Sequence, residues 1–273
     1  MANELTETLN PKLYPFKQEI GYENIIRNLP EERIVSLNWQ DLLQVFEDTD
    51  HTKWKLSHPS IGMSYKRGSL TANIVSSDGE ANIAIYSYNQ NRKHAIDDML
   101  WKATDTSAPF MSYKVSGEKI GDFCLVPRKS DNVYSIKYVY GNILVDIRHL
   151  NSDKDVLPVA RYLQSAMEKA VAANPEKKLP TRPKITYSIT PTQVRAGETF
   201  TVTLPTDYPN EQWDFGFAEE LLTPNIVYDK KRMNILTLKA VSPGKGVVSF
   251  SLMDKKTLWV FTDTVTINID PAK

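Results

Sequence analysis

The sequence predicts an α+β N-terminal domain, an antiparallel sheet with helices on one face, followed by an all-β sandwich. Three observations carry this expectation. Helix-period apolar stripes at 92–104 and 155–172 each follow strand-like segments. Residues 174–183 (NPEKKLPTRP) hold three prolines and three basic residues, a composition that continues neither helix nor central strand. Beyond that stretch, short β-rich segments alternate with turn residues and no helical stripe appears. The expected organisation is therefore an α+β domain over 1–173, a linker over 174–183 and a β-sandwich over 184–273.

Taken in order, residues 1–35 are rich in charge and interrupted by Pro11, Pro15 and Pro30. Leu13, Tyr14, Phe16, Ile20, Ile25, Ile26 and Leu29 give this segment enough apolar surface to pack, so it reads as an ordered arm. Residues 38–47 place Trp39, Leu42, Leu43 and Phe46 at helical spacing, with Asn38 positioned as a cap. From 54 to 88 the composition turns to strands, with Asp78-Gly79 marking a hairpin between Leu70–Val75 and Ile83–Tyr88. His58, ahead of Pro59, reads as a turn residue. The helix at 92–104 buries Ala95, Ile96, Met99, Leu100 and Ala103 on one stripe.

Two further strands, 133–140 and 142–148, meet at Gly141-Asn142. The helix at 155–172 is capped by Ser152 or Asp153 and tolerates Pro158 in its first turn. Its apolar face is Leu157, Ala160, Leu163, Met167, Ala170 and Val171. Strands followed by a helix thus occur twice, which raises the expectation of an internal duplication. In the last third, segments at 185–189, 199–204, 212–217, 226–228, 234–238, 247–252 and 259–269 supply seven strands.

Bulk composition narrows the function. Lys+Arg and Asp+Glu are both 33, so the basic excess of a phosphate-gripping protein is absent and nucleic acid is not an expected partner. No apolar run reaches the length of a membrane-spanning helix, and residues 1–10 lack the pattern of a signal peptide. Cys124 is the single cysteine, so no intrachain disulfide forms. Set among Phe123, Leu125 and Val126, it reads as a small buried hydrophobe.

The chemistry-bearing residues form no known catalytic motif. His51, His58, His94 and His149 do not pair at zinc-binding helical spacing. Ser116-Gly117-Glu118-Lys119 matches Ser-x-x-Lys by letter, but its glycine marks a loop. Phosphate-binding and dinucleotide fingerprints are missing. The carboxylate groups Asp97-Asp98, Glu219-Glu220 and Glu47-Asp48-Asp50 read as solvated charge. No cofactor or metal is indicated. The aromatic residues are a richer resource: Tyr208, Trp213, Tyr228 and Trp259 fall near predicted loop or strand ends of the sandwich. Most such rings pack cores, and exposed ones bind sugars or proteins. Trp213 also sits where the core tryptophan of a sandwich's third strand would sit.

Three resemblances add to this reading. Val194-Arg195-Ala196-Gly197-Glu198-Thr199-Phe200-Thr201-Val202-Thr203-Leu204, with Leu238-Lys239-Ala240 and Pro243-Gly244, resembles bacterial immunoglobulin-like domains. Within that class, Leu204-Pro205, Trp213, Ala240 and Gly244 are similar to the outline of chagasin-type inhibitors of cysteine proteases. The two loops such inhibitors insert are replaced here by Thr206-Asp207-Tyr208-Pro209-Asn210-Glu211 and Met253-Asp254-Lys255-Lys256. Ile120-Gly121-Asp122, Tyr140-Gly141-Asn142-Ile143-Leu144-Val145 and Ala160-Arg161-Tyr162-Leu163 resemble bacterial envelope and lipoprotein-associated domains. Together these imply a non-enzymatic binding or adaptor protein of the bacterial envelope or exterior, periplasmic or secreted, with a protein or carbohydrate partner. An enzyme whose site is assembled from distant residues, and a peptidase inhibitor acting through the sandwich loops, are the alternatives.

Overall fold

The computed structural model describes residues 11–29, 31, 34–35, 37–48, 54–64, 66–76, 81–105, 112–128, 132–149, 154–173, 179–183, 186–204, 213–217, 222–232 and 234–272. Antiparallel sheet dominates, with fewer helices. The chain divides into two compact units: Met1–Gly62 with Ser69–Lys178, and Met63–Gly68 with Leu179–Lys273.

The first unit opens with two short helices, α1 (Leu13–Glu19) and α2 (Tyr22–Asn28), in the segment expected only as an ordered arm. Pro15 is compatible with α1 because it lies in the first turn, where the N–H has no intrahelical acceptor. Helix α3 (Trp39–Asp48) follows, and Asn38 caps it, its Oδ1 accepting the Gln40 N–H at 3.0 Å.

Strands β1 (Trp54–Ser64), β2 (Arg67–Ser76) and β3 (Ala81–Tyr88) lead into α4 (Arg92–Thr104). The expected Asp78-Gly79 turn lies outside the described residues. His58 departs from expectation: it lies within β1, with φ 51°, rather than in a turn. Asn91 caps α4 through the His94 N–H at 2.8 Å, and all five residues of its expected stripe are buried.

Strands β4 (Tyr113–Val115), β5 (Phe123–Pro127), β6 (Ser135–Tyr140) and β7 (Ile143–His149) complete a sheet of order β1-β2-β3-β7-β6-β5-β4. Each pair from β3 to β4 is antiparallel. Helix α5 (Leu157–Ala172) then closes the unit. Its N-terminus is Val156, and Asp155 Oδ1 accepts the Leu157 N–H at 2.9 Å. The expected caps Ser152 and Asp153 lie outside the described residues. Its buried face is Val159, Ala160, Leu163, Ala166, Met167 and Ala170, so Leu157 and Val171 sit at the margins.

Helices cover both faces of this sheet, which corrects the one-face expectation. Register places Phe123, Leu125, Val139 and Leu144 on one face, where they share a core with Leu13, Phe16, Tyr22 and the α4 stripe. Tyr138 points to the opposite face, its hydroxyl 4.0 Å from Met167 Sδ of α5. Strands β5 and β6 are consequently buried at every residue. Two-sided burial erases the alternation from which a single covered face would be read. It also argues against a two-fold duplication. The neighbours β3 and β7 are antiparallel, and such symmetry would place the following helices on the same face.

The second unit holds two four-stranded sheets. One has the order β12-β13-β10-β8 and the other β11-β14-β15-β9. Their strands are β8 (Ser188–Thr190), β9 (Val194–Arg195), β10 (Thr199–Thr203), β11 (Trp213–Phe217), β12 (Ile226–Arg232), β13 (Ile235–Ala240), β14 (Gly244–Asp254) and β15 (Val260–Asp270). Phe200, Val202, Leu236 and Leu238 from the first sheet share one core with Val248, Phe250, Val265 and Ile267 from the second. Strand β9 pairs in parallel with β15, while β8 with β10, β10 with β13, β12 with β13, β11 with β14 and β14 with β15 are antiparallel.

Candidate functional site

Gly21 joins α1 to α2 with φ 67°, a left-handed conformation at which a side chain would be strained. The turn is closed by the Gly21 N–H donating to Gln18 O at 3.1 Å. It folds the two helices so that Leu13, Phe16 and Tyr22 face α4. An open cleft of about 520 Å³ is lined by Tyr14, Lys17, Gln18, Gly21, Tyr22, Glu23 and Asn24. That volume is in the range of small-ligand sites. Tyr14 is 55% exposed, an unusual placement for so large a ring.

Asp97 of α4 anchors this cleft. Its Oδ1 accepts from Lys17 Nζ at 2.8 Å and from the Tyr22 hydroxyl at 2.9 Å, and its Oδ2 accepts from Lys93 Nζ at 3.0 Å. Burial works to raise the Asp97 carboxyl, but the hydrogen bonds and charges of these donors hold it below the ordinary carboxylate range. Burial, followed by the nearby Asp97 charge, pushes the Tyr22 hydroxyl well above its usual value. Lys17 Nζ lies 4.4 Å from the Tyr22 ring centroid, adding a cation–π contact. The anchor is thus a fixed anion with a neutral phenol and a paired ammonium. Tyr14, Gln18, Glu23 and Asn24 supply a ring face, amides and a carboxylate for contact. In place of the solvated charge expected at Asp97, its carboxylate ties α1 and α2 to α4.

A second polar cluster is buried in the sheet. Lys137 and Asp146, cross-strand partners on β6 and β7, pair at 2.5 Å with side chains 0% and 2% exposed. Arg148 Nη2 reaches Asp146 at 3.1 Å, and Lys137 Nζ lies 5.2 Å from the Tyr113 ring. The Tyr113 hydroxyl and Ser135 Oγ are 3.1 Å apart. Burial opposes the charge on Asp146, but Lys137 and Arg148 keep it below the ordinary carboxylate range. Burial lowers the Lys137 ammonium in spite of Asp146.

Gly121-Asp122 and Gly141-Asn142 meet in space, with Arg92, Asn89 and Val35 around them. Asp122 Oδ2 accepts the Gly141 N–H at 2.8 Å and lies 3.7 Å from Arg92. Asn142 Oδ1 accepts the Val35 N–H at 2.5 Å, while its Nδ2 donates to Asn89 O at 2.8 Å. Gly121 has φ 66°, and a Cβ there would come within 2.4 Å of Val139 O. Each of these residues has a structural task at the β6–β7 turn.

The aromatic candidates are placed differently. Trp213 is 8% exposed, with its ring centroid 6.2 Å from that of Phe261. Tyr228 is half-buried on β12 opposite Leu238 and packs against the sandwich core. Trp259 is half-buried, its carbonyl accepting the Asp254 N–H at 2.9 Å. Trp213 thus belongs to the sheet that contains β14, Trp259 immediately precedes β15 of that sheet, and Tyr228 belongs to the other sheet. Tyr208 lies outside the described residues, as do Glu219-Glu220 and His51. Cys124 is buried, which pushes its thiol up, and Sγ faces Glu118 O at 3.5 Å. Among the described residues, no His, Cys, Asp and Glu side chains gather as a metal site.

Sequence reasoning did not find the α1–α2 cleft, because neither seven-residue helix is long enough to show a stripe. No protein-family model matches the chain, and no curated protein matches it either.

Proposed function

We propose that this chain is a non-enzymatic binding or adaptor protein of the bacterial envelope or exterior, and that it takes a neutral carbohydrate in the α1–α2 cleft. The observation that carries this reading is the pairing of an exposed ring, Tyr14, with the amides of Gln18 and Asn24 and the carboxylate of Glu23 around one cleft. A pyranose has an apolar face that stacks on a phenol ring and hydroxyls that exchange hydrogen bonds with amides and carboxylates. Asp97 supports binding rather than proton transfer, since its two oxygens already accept three donors.

The second unit is read as an immunoglobulin-like module. Support comes from its sheet orders: with β8, β10, β11, β12, β13, β14 and β15 labelled A to G, they become D-E-B-A and C-F-G. A module of this kind adds presentation or spacing, since the fold by itself specifies no activity. The envelope location rests on the resemblance of residues 120–165.

A panel of immobilised neutral oligosaccharides tests the reading. The intact protein retains a subset of them, and Tyr14→Ala weakens that retention about tenfold, as loss of one stacking contact predicts. Retention that is indifferent to Tyr14 rejects the cleft as the site.

A further inference from the structure

Six strands end a sheet among the described residues: β1, β4, β8, β9, β11 and β12. An exposed edge is a template for pairing with another chain, and proteins commonly blunt it. Strand β1 carries Pro59 and a positive φ at His58. Strands β4 and β8 have three residues each, and β9 has two. Strand β12 breaks register between Tyr228 and Lys230 and ends in Lys230-Lys231-Arg232. Strand β11, Trp213-Asp214-Phe215-Gly216-Phe217, has none of these devices and holds an unbroken five-residue register with β14.

Ladder alternation fixes which backbone groups of β11 face outward. The Asp254 N–H donates to Trp259 O, so Asp254 points toward β15 and Met253 toward β11. Met253 is opposite Asp214 and Ser251 is opposite Gly216. Asp214 and Gly216 therefore bond to β14, and the N–H and C=O groups of Trp213, Phe215 and Phe217 point away from it, toward a side where no described strand pairs with β11.

We propose that β11 pairs antiparallel with β11 of a second copy of this chain about a two-fold axis at Phe215. The sequence is self-complementary in that register. Trp213 meets Phe217 of the second copy, Phe215 meets its own equivalent, and Asp214 meets Gly216, so the two carboxylates do not face each other. All three outward-facing residues fall at pairs that exchange N–H···O bonds, and aromatic residues directly opposite each other favour a β-pair. One short strand per copy buries little surface, so the dimer is weak and dilutes apart.

Sedimentation of the full chain combined with amide hydrogen exchange at two concentrations tests this. At about 300 μM the chain sediments as a dimer, and by about 3 μM it is largely monomeric. Exchange at Trp213, Phe215 and Phe217 speeds up on dilution, while exchange at Asp214 and Gly216 stays slow throughout. Phe215→Pro removes an N–H that the β14 ladder does not use, and it raises the dissociation constant at least about tenfold. Should that variant fail to fold, the dilution experiment on the unaltered chain decides alone. A monomer at the higher concentration overturns the proposal. So does a dimer that leaves those three amides unchanged, or slow exchange there at both concentrations, which would mean that the chain covers its own edge.

Discussion

Lys137 is the single charged residue in an otherwise apolar stretch, VYSIKYVY, and each of Lys137 and Asp146 lies four residues from the Gly141-Asn142 turn. A two-residue hairpin makes such positions cross-strand partners, so this buried pair was legible in the sequence. Its burial was not, since that depends on helices arriving on both faces of the sheet. Removing Lys137 leaves Asp146 with Arg148 alone, so Lys137→Met is expected to cost about 3 kcal/mol in urea unfolding, the low end for breaking a buried pair. Lys137→Met combined with Asp146→Leu should recover most of that loss. The acid limb follows from Asp146, which faces Lys137, Arg148 and Tyr113. Its folded pKa is depressed, so its stabilising contribution is full above about pH 4 and lost as pH falls through the folded value. Asp97 acts with the same sign. The double variant should therefore show a shallower loss of stability below about pH 4 than the unaltered chain.

Buried tyrosines set the alkaline limb. Tyr86, Tyr88 and Tyr138 are at most 2% exposed, and burial raises all three hydroxyls. A raised folded pKa gives stability that is full below about pH 10 and lost as pH climbs through the folded value. Phenolate absorbance from these three rings should rise only with unfolding. A single early transition covering all tyrosines would contradict their burial.

At the scale of elements, caps and turns carry testable weight. Asn91→Ala should cost about 1 kcal/mol by removing the acceptor for the His94 N–H. Gly121→Ala should cost more than about 2 kcal/mol, because φ 66° is joined by a backbone collision with Val139. Gly117→Ala, where an added Cβ meets nothing within 4 Å, should change stability by less than about 0.5 kcal/mol. The long helices α4 and α5 were legible because a stripe repeats over three or more turns. Pro59 misled the reading of β1, since an edge strand tolerates proline where a central strand does not. Strand β4 is only three residues long and leaves no pattern to read.

Across the whole molecule, sheet order and face assignment were the least legible features. They depend on pairings such as β3 with β7, whose partners are about 60 residues apart in the chain. The candidate site follows the same logic. Tyr14, Gln18 and Asn24 lie close in sequence, but the cleft they line also depends on distant groups: the apolar contacts of α1 and α2 with α4, and Asp97 of α4, which holds Lys17 and Tyr22. Asp97→Ala should therefore weaken oligosaccharide retention by freeing Lys17 and Tyr22, though no lining residue is replaced, and Asp97→Asn, which keeps an acceptor for Tyr22, should weaken it less. The most direct test of the binding account is amide chemical-shift mapping with an oligosaccharide retained in the panel. Shifts concentrated at Tyr14, Gln18 and Gly21 to Asn24 are predicted. Shifts confined to the second unit, or products of sugar cleavage in the same tube, would contradict it.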